Sequence, residues 1–369
     1  DALLGTPAEM LDRLVALLGL LDDGKSDIAL PERLKKLLPE AQSKDKRLKA
    51  LAKALKKPKA VIVTGALFEN HPEAALLRTL VMWIAQLSGA THLRFTTGAN
   101  SAGGWLSGML PHREAFGKAV ETPGLALQDA LREKLKAYVL MGVDTSLDVA
   151  NPTQARQAML AAECVIALTG YQTDSMLEAA DVMLPMALPG ETSGTYINLD
   201  KTWQSFQGVV PPAGEARPAW KVIRVLGNLL HCKGFDYTST VSVRDEMKAA
   251  LDMMDAPAED CFYPDALPKA EVGLVRVGEW PLYRVDALVR HAAALQASAA
   301  ADKPKICVHP ETATQFDLDG TATVSQGDIE ITLPLEKNAR IAPGVVSVAC
   351  AFYETVDLGQ AFASITIKR

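Results

Sequence analysis

Residues that could bind a polar ligand follow an apolar run in the middle of the chain. Residues 180–185 form a short run that ends at a proline, and Glu191, the pair Gly194-Thr195 and Asn198 follow it closely. A run of this kind predicts a strand, and open α/β sheets bind their ligands beyond the carboxyl ends of their strands. A carboxylate and several backbone N–H groups at that place could hold a ligand, so Glu191 is the first candidate residue.

A glycine-rich loop, residues 98–104, follows another predicted strand. It contains Gly98 and Asn100 and is rich in small residues, so its N–H groups could approach a phosphate. The loop lacks the Gly-Lys-Ser/Thr ending of a P-loop, and its glycines do not fit the dinucleotide-binding fingerprint. A structural turn and a true or vestigial phosphate cradle are therefore both open.

Two more turns complete the set of candidates. Gly142 and Asp144 follow the predicted strand at residues 137–141. Thr173 and Asp174 precede a predicted helix, where either side chain could accept hydrogen bonds from the first N–H groups of that helix. Because a doubly wound sheet brings such loops together at the carboxyl edge of its strands, the candidate turns are expected to converge on one crevice.

The elements that must position these residues alternate between strands and helices from residue 60 onward. The predicted strands are residues 60–63, 92–95, 137–141, 164–168 and 182–184. This alternation predicts an α/β fold with a parallel Rossmann-like sheet, right-handed crossovers and helices on both faces. After residue 300 the apolar residues recur with a period of two, which predicts a C-terminal β-barrel-like unit.

The chain of 369 residues is long enough for two or three domains. Thr6 and Glu9 have the spacing of a helix-capping box at the start of a helical region. No run approaches the roughly 18 apolar residues of a membrane helix. Asp1 stands where a methionine would begin a protein, so we interpret the chain as a fragment of something longer. The predicted parts are a helical lead segment (1–58), an α/β domain (59–255), a linker (256–300) and a β-barrel-like domain (301–369).

The charge is distributed unevenly along the chain. The net charge is −6, yet residues 33–59 hold eleven basic residues against Glu40 and Asp45. Leu48 and Leu51 belong to an apolar pattern of helical spacing in this segment, so the lysines form the solvated face of an amphipathic helix. Docking onto an acidic partner subunit is the alternative, and nucleic-acid binding is not favoured.

The five cysteines are widely separated along the sequence. Iron–sulfur and zinc sites draw paired cysteines from short loops, and no such pair exists here. We therefore expect no cluster and no structural metal in this chain. Cys164 and Cys350 fall within apolar strand patterns, which predicts buried thiols and fits a reducing compartment.

The motifs around the first candidate site resemble a known family. Residues 180–185 read Ala-Asp-Val-x-Leu-Pro and residues 191–198 read Glu-x-x-Gly-Thr-x-x-Asn, which is similar to the molybdopterin oxidoreductase superfamily. Residues 210–220 are similar to the segment that follows this motif in the G-subunit family of bacterial NADH–quinone oxidoreductase (respiratory complex I). Residues 308–320 resemble the molybdopterin-dinucleotide-binding barrel that closes proteins of the superfamily.

This resemblance implies a function. The G-subunit family carries electrons from NADH towards quinone through 2Fe-2S and 4Fe-4S clusters, which N-terminal cysteines outside this chain would bind. The chain itself would then be a non-catalytic scaffold that docks other peripheral-arm subunits of complex I. It would lie on the cytoplasmic, inner face of the cell membrane without inserting into it. One alternative is a fragment of an active molybdopterin oxidoreductase such as a formate dehydrogenase. The other is an unrelated nucleotide-binding α/β enzyme, which the C-terminal β-barrel-like unit disfavours.

The sequence departs from the superfamily pattern at Asp144, Lys201 and Trp203. Asp144 stands where relatives carry the asparagine of a Gly-x-Asn-Pro turn, and a carboxylate there would repel a dinucleotide phosphate. Lys201 and Trp203 lie where the pattern has Glu-Gly-Arg, so the arginine that could bind phosphate with two hydrogen bonds is absent. We therefore expect a relic crevice that Trp203 and Lys201 partly close and that binds no cofactor.

Overall fold

The computed structural model describes residues 2–22, 24, 27–252, 261–269 and 273–369. Its helices are α1 (Pro7–Leu21), α2 (Glu32–Lys35), α3 (Lys46–Leu55), α4 (Ala66–Glu69), α5 (Ala74–Ser88), α6 (Ser101–Leu106), α7 (Leu127–Arg132), α8 (Pro152–Leu160), α9 (Asp174–Ala179), α10 (Ala219–Leu229), α11 (Thr240–Asp252), α12 (Ala287–His291), α13 (Ala293–Gln296) and α14 (Pro310–Gln315). Its strands are β1 (Val61–Thr64), β2 (Thr91–Arg94), β3 (Ala137–Met141), β4 (Cys164–Thr169), β5 (Val182–Pro185), β6 (Gly194–Ile197), β7 (Trp203–Phe206), β8 (Val275–Val277), β9 (Ile306–Val308), β10 (Thr321–Gln326), β11 (Ile329–Lys337), β12 (Val345–Val348) and β13 (Thr366–Lys368).

Helix α1 begins with the capping box that the sequence predicts. Thr6 Oγ1 accepts the N–H of Glu9 at 3.3 Å, and the Glu9 carboxylate accepts the N–H of Thr6 at 2.8 Å. These bonds satisfy N–H groups that the start of a helix leaves without partners. Leu18 of α1, Leu55 of α3 and Leu80 of α5 then share one buried cluster, so the lead segment packs against the first crossover of the α/β part.

The α/β part contains two parallel sheets that are hydrogen-bonded separately. β1 pairs with β2, and β3, β4 and β5 pair in that order. The predicted α/β class with parallel strands is confirmed. The predicted strands lie within one or two residues of the observed ones. Short parallel strands can be predicted from sequence because they form nearly uninterrupted apolar runs.

One face of the β1–β2 sheet is covered and the other is open. Ile62 packs against the cluster around α5. Val61, Val63, Leu93 and Phe95 lie on the opposite face, where they are between 47% and 59% exposed. Parallel sheets are normally covered by helices on both faces, so this surface is unusual for a fold of this class.

The second sheet repeats this arrangement. Val165 of β4 belongs to a buried cluster with residues of α8. Val139, Met141 and Val182, which lie on the other face, are 59%, 40% and 44% exposed. Each parallel sheet therefore presents one row of apolar side chains to solvent. We call these two surfaces the open sheet faces.

The C-terminal strands form a curled six-stranded sheet that resembles half a barrel. Its strand order is β13-β10-β11-β9-β12-β8, and its core includes Val324 and Val346. The predicted C-terminal β unit is confirmed. The edge strand β8 falls within residues 256–300, the predicted linker. A strand of three residues is too short for its periodicity to be recognised.

The β6–β7 hairpin is not predicted from the sequence. β6 and β7 are antiparallel, with Ile197 opposite Trp203. Asn198 Oδ1 accepts the N–H of Thr202 at 2.9 Å and closes the turn, in which Lys201 has a φ of 62°. The motif Gly-Thr-x-x-Asn thus forms the first strand of the hairpin and the start of its turn. Its strands are short and partly polar, so they lack the apolar run of the other strands.

Two further sequence-based expectations concern helices and cysteines. In the part of the chain that the structure describes, none of the helices is long and apolar enough to cross a membrane. Cys350 is buried as predicted, and so is Cys307, whereas Cys164 is only half-buried. Burial raises the pKa of the Cys307 and Cys350 thiols.

A buried histidine links the lead segment to the α/β part. His71 Nε2 lies 3.1 Å from the Pro7 carbonyl oxygen, and His71 Nδ1 accepts the N–H of Glu73 at 2.9 Å. The ring is therefore neutral, with its proton on Nε2. Burial lowers the pKa of His71 from its ordinary 6.5, and the Pro7 carbonyl and the Glu73 charge oppose that shift only in part.

This histidine predicts that the chain loses stability in mild acid. Because the unfolded chain binds the His71 proton more readily than the folded chain, the free energy of unfolding should fall as the pH drops below about 6.5. Replacing His71 by glutamine should flatten this dependence in urea unfolding measured between about pH 7.5 and pH 5. His231→Asn, which removes an exposed imidazole, provides the matched control. Equal slopes for His71→Gln and the unaltered chain would contradict this expectation.

Candidate functional site

A cavity of about 950 Å³ lies at the carboxyl ends of β1, β2 and β3. We call it the crevice. One wall consists of residues that follow these strands, including Asn70, Gly98 and Gly142. The other wall comes from the C-terminal part of the chain and includes Trp280 and Leu282. The crevice thus occupies the position at which α/β sheets bind ligands, and its volume suits a small-molecule site of about 300–1,000 Å³.

The glycine-rich loop and the turn after β3 both contribute to the wall of the crevice. Gly98 and Gly142 both line it. Gly142 has a φ of 66°, a left-handed conformation that favours glycine. Asn100 has a different role, because its Oδ1 accepts the N–H of Ile197 at 2.8 Å. That bond ties the glycine-rich loop to β6.

Asp144 is buried beside the crevice in a cluster of hydroxyl groups. Its carboxylate accepts hydrogen bonds from Ser175 Oγ and from the N–H of Ser146, both at 2.9 Å. Ser175 Oγ also lies 3.1 Å from Thr173 Oγ1, so the structure brings Asp144 and Thr173 together. Asp174 is exposed, and the side chain of Thr173, the residue before α9, does not cap that helix.

Glu191 organises a loop. Its Oε2 accepts the N–H of Leu188 at 2.9 Å, and its Oε1 accepts the N–H of Ala213 at 3.2 Å. Both carboxylate oxygens are therefore engaged by backbone N–H groups. Neither Glu191 nor Thr173 belongs to the described lining of the crevice, so Gly98 and Gly142 are the predicted turns that meet there.

The two residues expected to close the crevice lie elsewhere. Lys201 is exposed in the turn of the β6–β7 hairpin. Trp203 lies on β7, with the Lys248 ammonium 5.3 Å from the centroid of its ring. Neither side chain lines the crevice, so the expectation that they plug it is wrong. The β6–β7 hairpin carries this segment away from the strand ends.

A model of the molybdopterin oxidoreductase family matches residues 15–229, which is more than half of the chain. The chain belongs to the molybdopterin oxidoreductase family. The matched range contains the glycine-rich loop and the turns at Gly142, Thr173 and Glu191.

Several curated proteins with different names are similar to this chain. A mitochondrial NADH-ubiquinone oxidoreductase 78 kDa subunit from Candida albicans is 31% identical over 144 residues, or 39% of this chain and 19% of the relative. A nitrate reductase from Shewanella frigidimarina is 24% identical over 159 residues, or 42% of this chain and 17% of the relative. The G subunit of an NADH-quinone oxidoreductase from Streptomyces coelicolor is 32% identical over 108 residues, or 29% of this chain and 12% of the relative.

These matches span less than a fifth of the length of each curated relative. Among solved structures, the acetylene hydratase from Pelobacter acetylenicus aligns with a TM-score of 0.46 and 15% sequence identity. That alignment covers 68% of this chain and 43% of the hydratase.

The charges of the crevice do not fit the dinucleotide form of the molybdopterin cofactor, which carries anionic phosphates. Two lysines, Lys303 and Lys305, line the crevice, and Lys305 is already paired with Glu336 at 2.6 Å. Beside the wall, the buried Asp144 Oδ2 has no hydrogen-bond partner among the described residues. The carboxylates that line the crevice are those of Asp148, Glu279, Asp286 and Asp302. Asp148 is itself paired with Arg290 at 2.8 Å, and the carboxylates of Glu279, Asp286 and Asp302 remain to repel a phosphate in the crevice.

Sequence reasoning missed the residues that form the second wall of the crevice. Glu279, Trp280, Leu282 and Asp286 all fall within the predicted linker, residues 256–300. The dipeptide Glu279-Trp280 sits in a stretch without regular periodicity, and no local signal there points to a site. In the described ranges, which leave out residues 253–260 and 270–272, no group of three or more His, Cys, Asp or Glu residues could hold a metal ion.

Proposed function

We propose that this chain is part of the electron-transferring large subunit of NADH–quinone oxidoreductase and serves there as a non-catalytic scaffold. In this proposal, 2Fe-2S and 4Fe-4S clusters in a part of the subunit outside this chain carry electrons from NADH towards quinone. The chain would hold those cluster domains and dock other peripheral-arm subunits on the inner face of the membrane. Similarity to the two complex I subunits supports this assignment.

The open sheet faces are the observation that carries the docking role. They expose side chains such as Val63, Phe95 and Val139 on parallel strands, which proteins normally cover on both sides. Contiguous apolar surface of this kind marks an interaction site in soluble proteins. A scaffold that is packed between other domains and subunits would cover both faces.

The acid-rich crevice supports the non-catalytic part of the proposal. A working cofactor domain needs donors and positive charge that face the phosphates. Here the carboxylates of Glu279, Asp286 and Asp302 line that space, and Lys305 is already paired with Glu336. The alternative, a fragment of an active enzyme such as a formate dehydrogenase, is favoured by the similarity to a nitrate reductase and by the volume of the crevice.

The basic segment fits a protein partner with an acidic surface. The basic side chains of residues 33–59 are exposed, whereas Leu48 and Leu55 on the opposite side of α3 are buried in the core. A helix whose apolar side is already buried cannot insert that side into a membrane interface. Residues 33–59 also contain no aromatic side chain on which a nucleic-acid base could stack. Charge complementarity with an acidic subunit is therefore the interaction that this face supports.

The docking role predicts that a charge on an open sheet face disrupts assembly without unfolding the chain. Val63→Asp should lower co-purification of the chain with the other peripheral-arm subunits by about ten-fold, because docking would bury a carboxylate without a partner. The isolated variant should keep its stability, since the side chain is exposed. Leu160→Asp is the control, because Leu160 is exposed on α8, away from the open sheet faces. Equal recovery of both variants with the subunits would count against docking through this face.

The non-catalytic role predicts a colourless chain without bound cofactor. Elemental analysis of the purified chain should find neither iron nor molybdenum in stoichiometric amount, because its cysteines are scattered. Titration with a guanine dinucleotide or a pterin should give no micromolar binding, because the crevice is acidic. About one equivalent of either metal per chain, or micromolar binding of either ligand, would instead support the active-enzyme alternative.

A further inference from the structure

The loop between β3 and α8, residues 142–151, joins the α/β part to the C-terminal part. Trp280 Nε1 donates to the carbonyl oxygen of Leu147 at 2.9 Å. The N–H of Ala361 donates to the carbonyl oxygen of Ala150 at 3.1 Å. These bonds link segments that are far apart in sequence, so they form only when the two parts are docked.

An ion pair between the buried Arg290 and the partly buried Asp148 reinforces this contact. Arg290 Nη1 lies 2.8 Å from Asp148 Oδ1, and the two side chains are 4% and 19% exposed. The other oxygen of Asp148 accepts the N–H of Asp144 at 2.7 Å, and Arg290 Nη1 also donates to the Arg284 carbonyl oxygen at 2.9 Å. Removal of one partner from a buried pair leaves a charge without compensation, so each partner depends strongly on the other.

The same network contains two buried atoms whose hydrogen-bonding capacity is unmet. Among the described residues, Asp144 Oδ2 and Arg290 Nη2 have no partner, and they carry opposite charges. Both groups act on Tyr353, whose pKa is raised by burial and by Asp144 and lowered by Arg290. A buried polar group without a partner destabilises the docked state. Water would hydrogen-bond to Asp144 Oδ2 and Arg290 Nη2 if the contact between the two parts opened. Hydration of these atoms would offset part of the cost of separating the two parts.

The ion pair lies directly beside the crevice. Asp148 is part of the crevice wall, and so are Asp286 and Ala287, which lead into Arg290 on α12. One wall of the crevice belongs to the α/β part and the other to the C-terminal part. The width of the crevice therefore depends on how these two parts are held together.

We propose that the Asp148–Arg290 pair is an electrostatic latch that holds the C-terminal part on the β3–α8 loop and sets the width of the crevice. The C-terminal part can separate locally from the β3–α8 loop without unfolding of either part, because water then reaches Asp144 and Arg290. This inference does not depend on the scaffold function, since the latch would also serve a chain with any other role.

Hydrogen exchange of the purified chain tests the latch. The Ala361 amide reports the docked contact directly, and the amides of the β10–β11 ladder report the stability of the C-terminal sheet. Asp148→Asn and Arg290→Gln should each accelerate exchange at Ala361 by about ten-fold while the ladder amides keep their rates. The double variant should accelerate exchange at Ala361 by less than the sum of the two single effects, because both substitutions remove the same interaction.

Two further variants keep the test decisive. Arg156→Gln removes an exposed ion pair with Glu178 inside the α/β part, so it should leave exchange at Ala361 unchanged. Arg290→Lys retains the charge, so it should accelerate exchange at Ala361 less than Arg290→Gln does. If Arg290→Gln does not fold, Arg290→Lys still gives a result. Equal acceleration of Ala361 and the ladder amides would overturn the latch, because the pair would then contribute only to global stability. Unchanged exchange at Ala361 would overturn it as well.

Discussion

Replacement of Arg276 by alanine is expected to lower the free energy of unfolding by about 3–5 kcal/mol. The Arg276 side chain is among the largest that are fully buried, with 1% of the residue exposed. It donates to the carbonyl oxygens of Gly359 at 2.9 Å and Val348 at 3.3 Å, and its Nη2 lies 3.6 Å from Cys350 Sγ. The substitution would leave a cavity and two carbonyl oxygens without these donors, so the cavity and the lost hydrogen bonds both destabilise the sheet.

A second variant separates the cavity from the polar contribution. Arg276→Met fills most of the same volume and removes the donors together with the charge, so it should cost about 1–3 kcal/mol in urea unfolding. Burial lowers the pKa of the Arg276 guanidinium, which means that burying this charge reduces the stability of the folded sheet. If Arg276→Ala stayed within about 1 kcal/mol of the unaltered chain, relief of that cost would outweigh the lost contacts, contrary to our expectation.

Replacement of Gly103 by alanine should destabilise the chain by about 1–3 kcal/mol through its contact with a candidate site residue. A β-carbon at Gly103 would lie 2.2 Å from Asn100 Oδ1, well inside van der Waals contact. Asn100 would have to move and release the N–H of Ile197, which it holds at 2.8 Å. The glycine-rich loop would then lose its tie to β6.

The adjacent glycine provides a matched control in the same helix. A β-carbon at Gly104 would meet nothing within 4 Å. Gly104→Ala should therefore be neutral or stabilising by up to about 1 kcal/mol, because alanine loses less backbone entropy in a helix. Urea unfolding of both variants, with hydrogen exchange at the Ile197 amide, measures the difference. Similar stabilities for the two variants would show that Asn100 relaxes without loss.

The architecture could be predicted where it depends on short stretches of sequence. The run at residues 137–141 predicted a strand, and β3 spans Ala137–Met141. Thr6 and Glu9 predicted a capping box that forms with both hydrogen bonds. These features depend on residues that are neighbours in the chain, so they can be predicted without any knowledge of the rest of the fold.

Elements that gain their stability from distant contacts were missed. The strand β8 has three residues and is held by β12, far along the chain. The β6–β7 hairpin is stabilised by Asn100, which lies outside it. Because of that hairpin, Lys201 and Trp203 lie away from the crevice that they were expected to close.

The sequence by itself determined the family and the α/β class of this protein, because motifs and apolar periodicity are local properties of the chain. Only the tertiary structure decided that Glu191 binds backbone N–H groups and that Asp148 meets Arg290. The physical reason is that the direction of a carboxylate depends on which donors surround it after folding. Those donors come from segments that only the complete topology brings together, and no local pattern encodes that choice.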